Sequence, residues 1–519
     1  MSRAGCDVQR TTYPVPCTPV THSPVKRFLL LLPLLLAACA PSAEGGLLLP
    51  TPAAATPSVA APRPTGTAPY PPRPQYQPGE LVDYTAQTGD TLPALAAHFN
   101  TTVGEILAAN PFIPESATTM PPGMPMQIPI YYLPDWGSPY RILPDSLFVN
   151  GPAQSGFDTA AFVEQSGGWL KDYRTYAAGA NRSGAEVVDY VAQNFSLSPR
   201  LLLALLEYQS GALTQPDPGA WADYPLRYEE RSHRGVYLQL VWAADRLNDG
   251  YYRWRAGLPV ELVHPDGRGE RPDPWQNAAT VGLQVLFNAL EPQTDFWAAT
   301  APEGFAATYA ALFGDPWRAD IPHIPGSLTQ PEMRLPYDAT EVWAYTGAPH
   351  TAWGTGQPWA AVDFAPPSTA SGCQKSDQWA EAVADGIVTR SETGIVELDL
   401  DGDGDGHTGW VVFYLHVATE GRAALGAALK AGDPVGHPSC EGGHTTGTHI
   451  HIARKYNGEW ILADGPIPFT MGGWVTRRGG APYRGTLERY GQVVTASEQA
   501  ASASLIPAEP KPSPTPELP

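Results

Sequence analysis

Basic residues are scarce in this chain of 519: 32 Lys and Arg stand against 52 Asp and Glu, a formal net charge of −20. A phosphate-binding surface needs a basic stripe, and its lack here argues against nucleic acid as a partner. Cysteine is rarer still, with five in all: Cys6, Cys17, Cys39, Cys373 and Cys440. Long apolar runs are also lacking. The one candidate, Phe28 to Leu36, is too short to span a ~30 Å hydrocarbon core comfortably as a mature helix, which favours a cleaved signal over a permanent anchor. What the chain has in quantity is Pro (57) and Gly (51), pointing to linkers and loop-rich β structure rather than helical bundles. At ~100–200 residues per domain, its length fits about three globular units.

Lys26 and Arg27 precede the apolar run and Leu36-Ala37-Ala38-Cys39 ends it, the layout of an export signal over residues 25–38. The last four residues resemble a bacterial lipobox. The resemblance implies cleavage before Cys39, lipid on Cys39, and a mature protein held at the outer face of a bacterial membrane; an ordinary secretory signal with an incidental cysteine is the rival reading. Residues 1–24 look like no signal n-region and are expected to be an untranslated or non-structural extension, with Val25 as the start. Cys373 and Cys440 are then the remaining pair in an exported chain, where an even pair is more often a disulfide than two thiols. Residues 39–79 are Pro, Ala, Thr and Ser with few large aliphatics and read as a disordered tether; residues 496–519 read as a tail of the same kind.

Between them lie three blocks. In residues 80–131 a short strand leads to the turn Thr88-Gly89-Asp90, and Leu92, Leu95, Ala96 and Phe99 then recur at helical spacing. A second helix stops at Asn110-Pro111, and Met126 to Ile130 closes the unit as a strand. This βααβ order, with "GDT" and the terminal Asn, resembles a LysM module. The resemblance implies binding of N-acetylglucosamine-containing chains such as peptidoglycan, with Gly89, Asp90, Thr91 and Asn110 near the sugar groove. Helix capping explains Asp90 and Asn110 equally well.

Residues 155–325 are helical and rich in Trp and Tyr. In "SLSPRLLLALLEYQSG" Ser198 can cap, Pro199 suits the first helical position and Gly211 can end the helix. The stretch faintly resembles the catalytic helix of lysozyme-like transglycosylases, but Gln209 stands where their Glu would be and Glu207 lies two residues away. An amide cannot protonate a glycosidic oxygen, so a packed helical scaffold of unknown role is the main expectation.

Residues 335–485 turn β-like. If "GTHIHIA" is a strand, alternation puts His449 and His451 on one face, ~7 Å apart at their Cα atoms, within reach of one small site. In "WVVFYLHV" the same period places His416 with Tyr414, Val412 and Trp410. In "WAAVDFAP" Asp363 faces away from Val362 and Phe364, and an aspartate among apolar residues is costly unless paired or bound to metal. With His350, these residues offer zinc three ligands, His350, Asp363 and His451, leaving a fourth place for water. His416 and His449 remain to take and give protons or to hold an oxyanion.

These motifs resemble the lysostaphin-like zinc metallopeptidases that cut peptidoglycan peptides. The family commonly places its first ligand four residues before the Asp, where this chain has Trp359. The beta-lytic, staphylolysin-type branch instead has a histidine thirteen residues before it, the interval from His350 to Asp363. That branch also carries "CEGG" ahead of the His-x-His and "YNG" after it, as in Cys440–Gly443 and Tyr456–Gly458. The resemblance implies a C-terminal antiparallel-β domain of the duplicated hybrid motif type and one zinc ion per chain, on His350, Asp363 and His451. It makes His416 and His449 catalytic, and tilts cleavage toward bonds next to glycine. It also implies a disulfide at Cys440, with Cys373 as partner although its sequence position does not match cleanly. His444 matches no family role, and Thr448 replaces the usual Pro.

In "DLDGDGDGHTG", Asp399, Asp401, Asp403 and Asp405 alternate as in the first half of a calcium loop, but no bidentate Glu closes either register. Calcium and a solvated acidic hairpin tip are both open readings. Taken together, the expectation is a multidomain protein: a LysM βααβ module, a central α-helical domain and a C-terminal metallopeptidase domain. It is expected to be extracytoplasmic, lipid-anchored and cell-wall associated, with peptidoglycan as partner. A catalytically silent regulator of other cell-wall hydrolases and a pure glycan-binding scaffold are the alternatives.

Overall fold

The computed structural model describes residues 75–368 and 372–509. The expected export signal over 25–38, Cys39, Cys6 and Cys17 lie outside the described residues, as do most of the expected tether and residues 510–519.

The first unit pairs β1 (Glu80–Thr85) with β2 (Pro125–Ile130) antiparallel, Glu80 opposite Ile130, around α1 (Leu92–His98) and α2 (Val103–Ala109). Thr91 starts α1 by accepting the Ala94 N–H, and Thr102 and Glu105 form a reciprocal capping box on α2. Leu95, Phe99, Ile106, Ile128 and Ile130 form its core.

The second unit runs through α3 (Thr159–Gln165), the hairpin β3 (Arg174–Ala177) and β4 (Ala180–Ser183), α4 (Gly184–Phe195), α5 (Pro199–Ser210) and α6 (Val236–Arg255). The hairpin β5 (Leu262–Val263) and β6 (Gly269–Glu270), then α7 (Ala278–Ala289), α8 (Phe296–Thr300) and α9 (Ala307–Phe313) complete it. Helix α5 starts where Ser198 accepts the Leu201 N–H and Pro199 takes the first turn; it stops at Gly211 in a left-handed conformation, φ 63°.

The third unit is built on β7 (Ala344–Thr351), β8 (Trp359–Ala365), β9 (Ala380–Glu381), β10 (Gly386–Glu392), β11 (Gly394–Asp399), β12 (Trp410–Val417), β13 (Ala428–Leu429), β14 (Pro434–Gly436), β15 (Ile450–Tyr456) and β16 (Glu459–Trp460). Its main sheet is antiparallel in the order β13-β10-β11-β12-β15-β8-β7, with β16 on β15. Alternation gives the sheet two apolar faces. Val362, Phe364, Val412, Tyr414, Ile450 and Ile452 face one core with Trp343 and Trp474. Ile395, Phe413, Leu415 and Ala453 face the other and join the helical unit's core, so the helices cover that face.

The sheet of β17 (Thr470–Met471), β18 (Trp474–Arg478), β19 (Gly485–Arg489) and β20 (Gln492–Thr495) follows. The stretch from residue 496, expected to be disordered, is instead ordered as far as Glu509. Ser497 N–H donates to Tyr345 O at 3.1 Å, Ile506 N–H donates to Trp343 O at 2.9 Å, and the Ile506 side chain is fully buried. One isoleucine in a polar segment, seated in a core pocket beside an edge strand, outweighs the composition around it.

A buried charge network ties the units together. Arg255 on α6 lies 3.0 Å from Asp145 and 3.0 Å from Glu459 on β16, and its Nη1 donates to Thr88 O of the first unit at 2.5 Å. Tyr251 O–H donates to Glu459 at 2.6 Å, and His323 Nε2 sits 2.7 Å from the same oxygen.

Candidate metal centre

Strand register builds the site. Asp363 on β8 stands directly opposite His451 on β15 and opposite Gly347 on β7. His350 Nε2 and His451 Nδ1 approach to 3.0 Å, and Asp363 Oδ1 lies 3.3 Å from the first and 3.2 Å from the second. All three residues are buried, and His449 Nε2 lies 3.6 Å from the same oxygen.

Each histidine spends its other ring nitrogen on a backbone carbonyl. His350 Nδ1 faces Ala348 O at 2.8 Å, His451 Nε2 faces Ala352 O at 3.1 Å, His449 Nδ1 faces Gly447 O at 2.9 Å, and His416 Nδ1 faces Glu441 O at 2.9 Å. A carbonyl accepts, so each of those nitrogens carries the proton and the opposite nitrogen carries a lone pair. Two lone pairs 3.0 Å apart repel unless a cation sits between them. Asp363 Oδ1, buried and without a well-formed hydrogen bond, adds the negative charge such a cation wants. Two imidazoles and a carboxylate are donors that suit zinc. The backbone carbonyls act as the outer partners that orient the ligands.

Burial, then the neighbouring His449 and His451, pushes His416 down to about 3, so that ring is neutral at neutral pH.

His416 departs from the face expected of it. Its backbone is left-handed, φ 67°, which breaks the alternation of β12 and turns the ring away from Tyr414 and Val412. Its ring centroid comes to 4.6 Å from His449 and 6.2 Å from His451. Ser439 holds the turn, its N–H and O–H both donating to His416 O at 2.7 and 2.9 Å.

Gly347 is required by proximity. A Cβ there would sit 2.2 Å from Asp363 Oδ2. Gly347→Ala is therefore expected to displace the carboxylate and weaken zinc binding by at least about tenfold without removing a ligand, the scale of outer-partner changes, as read by competition with a chromogenic chelator.

Cys373 and Cys440 are joined in a disulfide, Cα–Cα 5.7 Å. Thr448 closes the same loop: its hydroxyl accepts the Gln374 N–H at 2.9 Å and donates to Gly372 O at 3.3 Å. A proline there could not do this. His444 is exposed. Tyr483, which no strand pattern flags, stacks on His350 at 4.1 Å; an aromatic in a loop well beyond the last motif gives no local signal.

The other expected site residues fare differently. Asp90 accepts from Tyr84 O–H and Gln87 N–H, both at 2.7 Å, and burial raises its carboxyl to about 6. Asn110 is buried and bonds Ile106 O, Gln127 O and Gln127 N–H. Thr91 caps α1, and Gly89 lies under the Arg255 guanidinium. The Asp90 and Asn110 side chains act as internal staples of the module. Glu207 accepts from Leu213 N–H at 2.7 Å and from the Thr214 hydroxyl at 2.5 Å, closing the turn after α5. In the acidic loop, Asp399, Asp401 and Asp403 converge within 4.8 Å. Asp405 is not among them; it accepts from Ser155 and contacts His407, both at 2.5 Å.

The βααβ unit and the helical unit each match the model of a known domain, and the chain is similar to a curated protease. A model of the LysM domain matches residues 84–129, and a model of the LasA N-terminal domain matches residues 141–326. Among curated proteins the chain is similar to Protease LasA of Pseudomonas aeruginosa, 24% identical over 357 residues, covering 66% of this chain and 78% of that protein. Among solved structures, the M23 metalloprotease pseudoalterin from the deep sea is 22% identical, covering 32% of this chain and 96% of its own, TM-score 0.28. The catalytic domain of lysostaphin from Staphylococcus simulans is 20% identical, covering 23% and 87%, TM-score 0.17.

Proposed function

We propose that this protein is a cell-envelope zinc metalloendopeptidase that hydrolyses peptide bonds in the stem peptides or cross-bridges of peptidoglycan, next to glycine, and is targeted by glycan binding through its LysM module. The observation that carries the reading is the convergence of Asp363 Oδ1 with imidazole lone pairs whose orientation four backbone carbonyls fix. His350, Asp363 and His451 would hold one zinc ion, which supplies Lewis acidity toward a peptide carbonyl and activates water. His416 and His449 are the catalytic pair. Their free Nε2 atoms lie beside the ligands, so they accept a proton from the attacking water, return one to the leaving amine and hold the oxyanion. Lipid on Cys39 would place the enzyme at the outer face of the membrane, where tether and LysM module raise the local concentration of substrate. The domain would be of the duplicated hybrid motif type. The loop Asp399–Asp403 would take calcium as a second, structural ion. Digestion of purified sacculi tests the reading: cleavage is expected with zinc present, lost on chelation and restored by zinc, whereas cleavage that survives chelation would contradict it.

A further inference from the structure

We infer that the linker 323–328 occupies the ligand cleft of the LysM module in cis, so that glycan binding and docking of this linker exclude one another. The inference rests on the glycan-binding reading above.

The linker lies against two loops of the module, residues 86–91 and 117–123. Ile324 N–H donates to Thr88 Oγ1 at 2.9 Å, and the Thr88 hydroxyl donates to Ile324 O at 3.3 Å. Thr119 O–H donates to Pro325 O at 2.7 Å, Ser327 N–H donates to Thr119 O at 2.9 Å, and Leu328 N–H donates to Thr119 Oγ1 at 3.0 Å. Thr118 O–H donates to Leu328 O at 2.6 Å. Ile324 and Leu328 are buried, and Gly326 lies so close that a Cβ would sit 2.6 Å from Pro121 Cγ and 2.8 Å from its Cα.

Three threonine hydroxyls and a backbone carbonyl thus read the amide groups of a linker that turns at Gly326 and Ser327. A chain bearing acetamido and hydroxyl groups offers the same alternation of donors and acceptors, and the glycan of N-acetylglucosamine polymers is such a chain. The occupying segment also reaches the catalytic unit: His323 bonds Glu459 through Nε2, and its carbonyl accepts from Asn457 Nδ2 at 2.6 Å. Glycan that displaces the linker therefore loosens the tie between module and peptidase sheet. A cleft that is free only a small fraction of the time binds with affinity reduced by that fraction.

The test titrates the full chain with tetra-N-acetylchitotetraose, as wild type and as Gly326→Val, whose side chain cannot fit against Pro121. Affinity is expected to rise at least about tenfold in the variant. In the wild type, saturating sugar is expected to speed amide hydrogen exchange across 323–328, a readout that needs no variant. Sugar that binds the wild type while leaving that exchange unchanged or slower would overturn the inference alone. Absence of binding in both proteins, with the linker exchanging freely in Gly326→Val, would overturn the glycan reading and this inference with it.

Discussion

Asp363→Asn is expected to lower zinc affinity by about 10²–10³-fold and peptidoglycan cleavage at least as much, while leaving the fold intact. The substitution keeps the shape of the side chain and removes the one negative charge among the three ligand residues. Taking one charge out of a buried set costs about 3–5 kcal/mol, and each 1.4 kcal/mol is tenfold in binding. Asp363 sits between Val362 and Phe364, which hold β8 in the sheet from the other face, so the strand has no reason to move. Zinc competition with a chelator of known affinity measures the loss, and circular dichroism checks the fold. Asp385, an exposed carboxylate paired with Lys430, supplies the control: Asp385→Asn is expected to leave zinc affinity unchanged. Equal zinc affinity in Asp363→Asn and wild type would remove Asp363 from the site.

Glu459→Gln is expected to destabilise the assembled chain by about 3–5 kcal/mol, because Arg255 and His323 then lose a buried carboxylate while Asp145 is left to balance them alone. Burial pushes the Glu459 carboxyl up, but Arg255, His323 and Tyr251 together hold it down to about 2. A carboxyl depressed in the folded state contributes stability above its ordinary range near 4.5, and that contribution fades as pH falls toward about 2. Wild type should therefore lose stability in acid through this residue, and Glu459→Gln should show a shallower loss between those limits. Urea and thermal midpoints at pH 7 and pH 3 read both effects. Glu420→Gln, which breaks an exposed pair with Lys375, should move neither midpoint. A Glu459→Gln protein as stable as wild type at pH 7 would show that the network does not hold the units together.

Much of the site was legible because it obeys period two. Asp363, His451 and their apolar neighbours alternate as strands should, and register then sets Asp363 against His451. His416 was legible as a residue but not in its direction, since one left-handed φ reverses the face of the last turn of β12. Tyr483 and the four carbonyls left no trace in the pattern, because they reach the site through loops whose path only the tertiary fold decides. Asp90 and Asn110 were read from their positions in a motif, and the same positions serve capping and stapling. The stretch 496–509 was misjudged from composition, which cannot reveal that Ile506 finds a pocket beside Trp343.

The proposed function requires one zinc on His350, Asp363 and His451, used to cut peptidoglycan peptides. The most direct measurement is zinc per chain by plasma mass spectrometry, together with mass-spectrometric mapping of new peptide termini in purified peptidoglycan treated with wild type or His451→Ala. Close to one zinc and new termini are expected for wild type, both lost in His451→Ala. Zinc without new termini, or new termini that persist in His451→Ala, would contradict it.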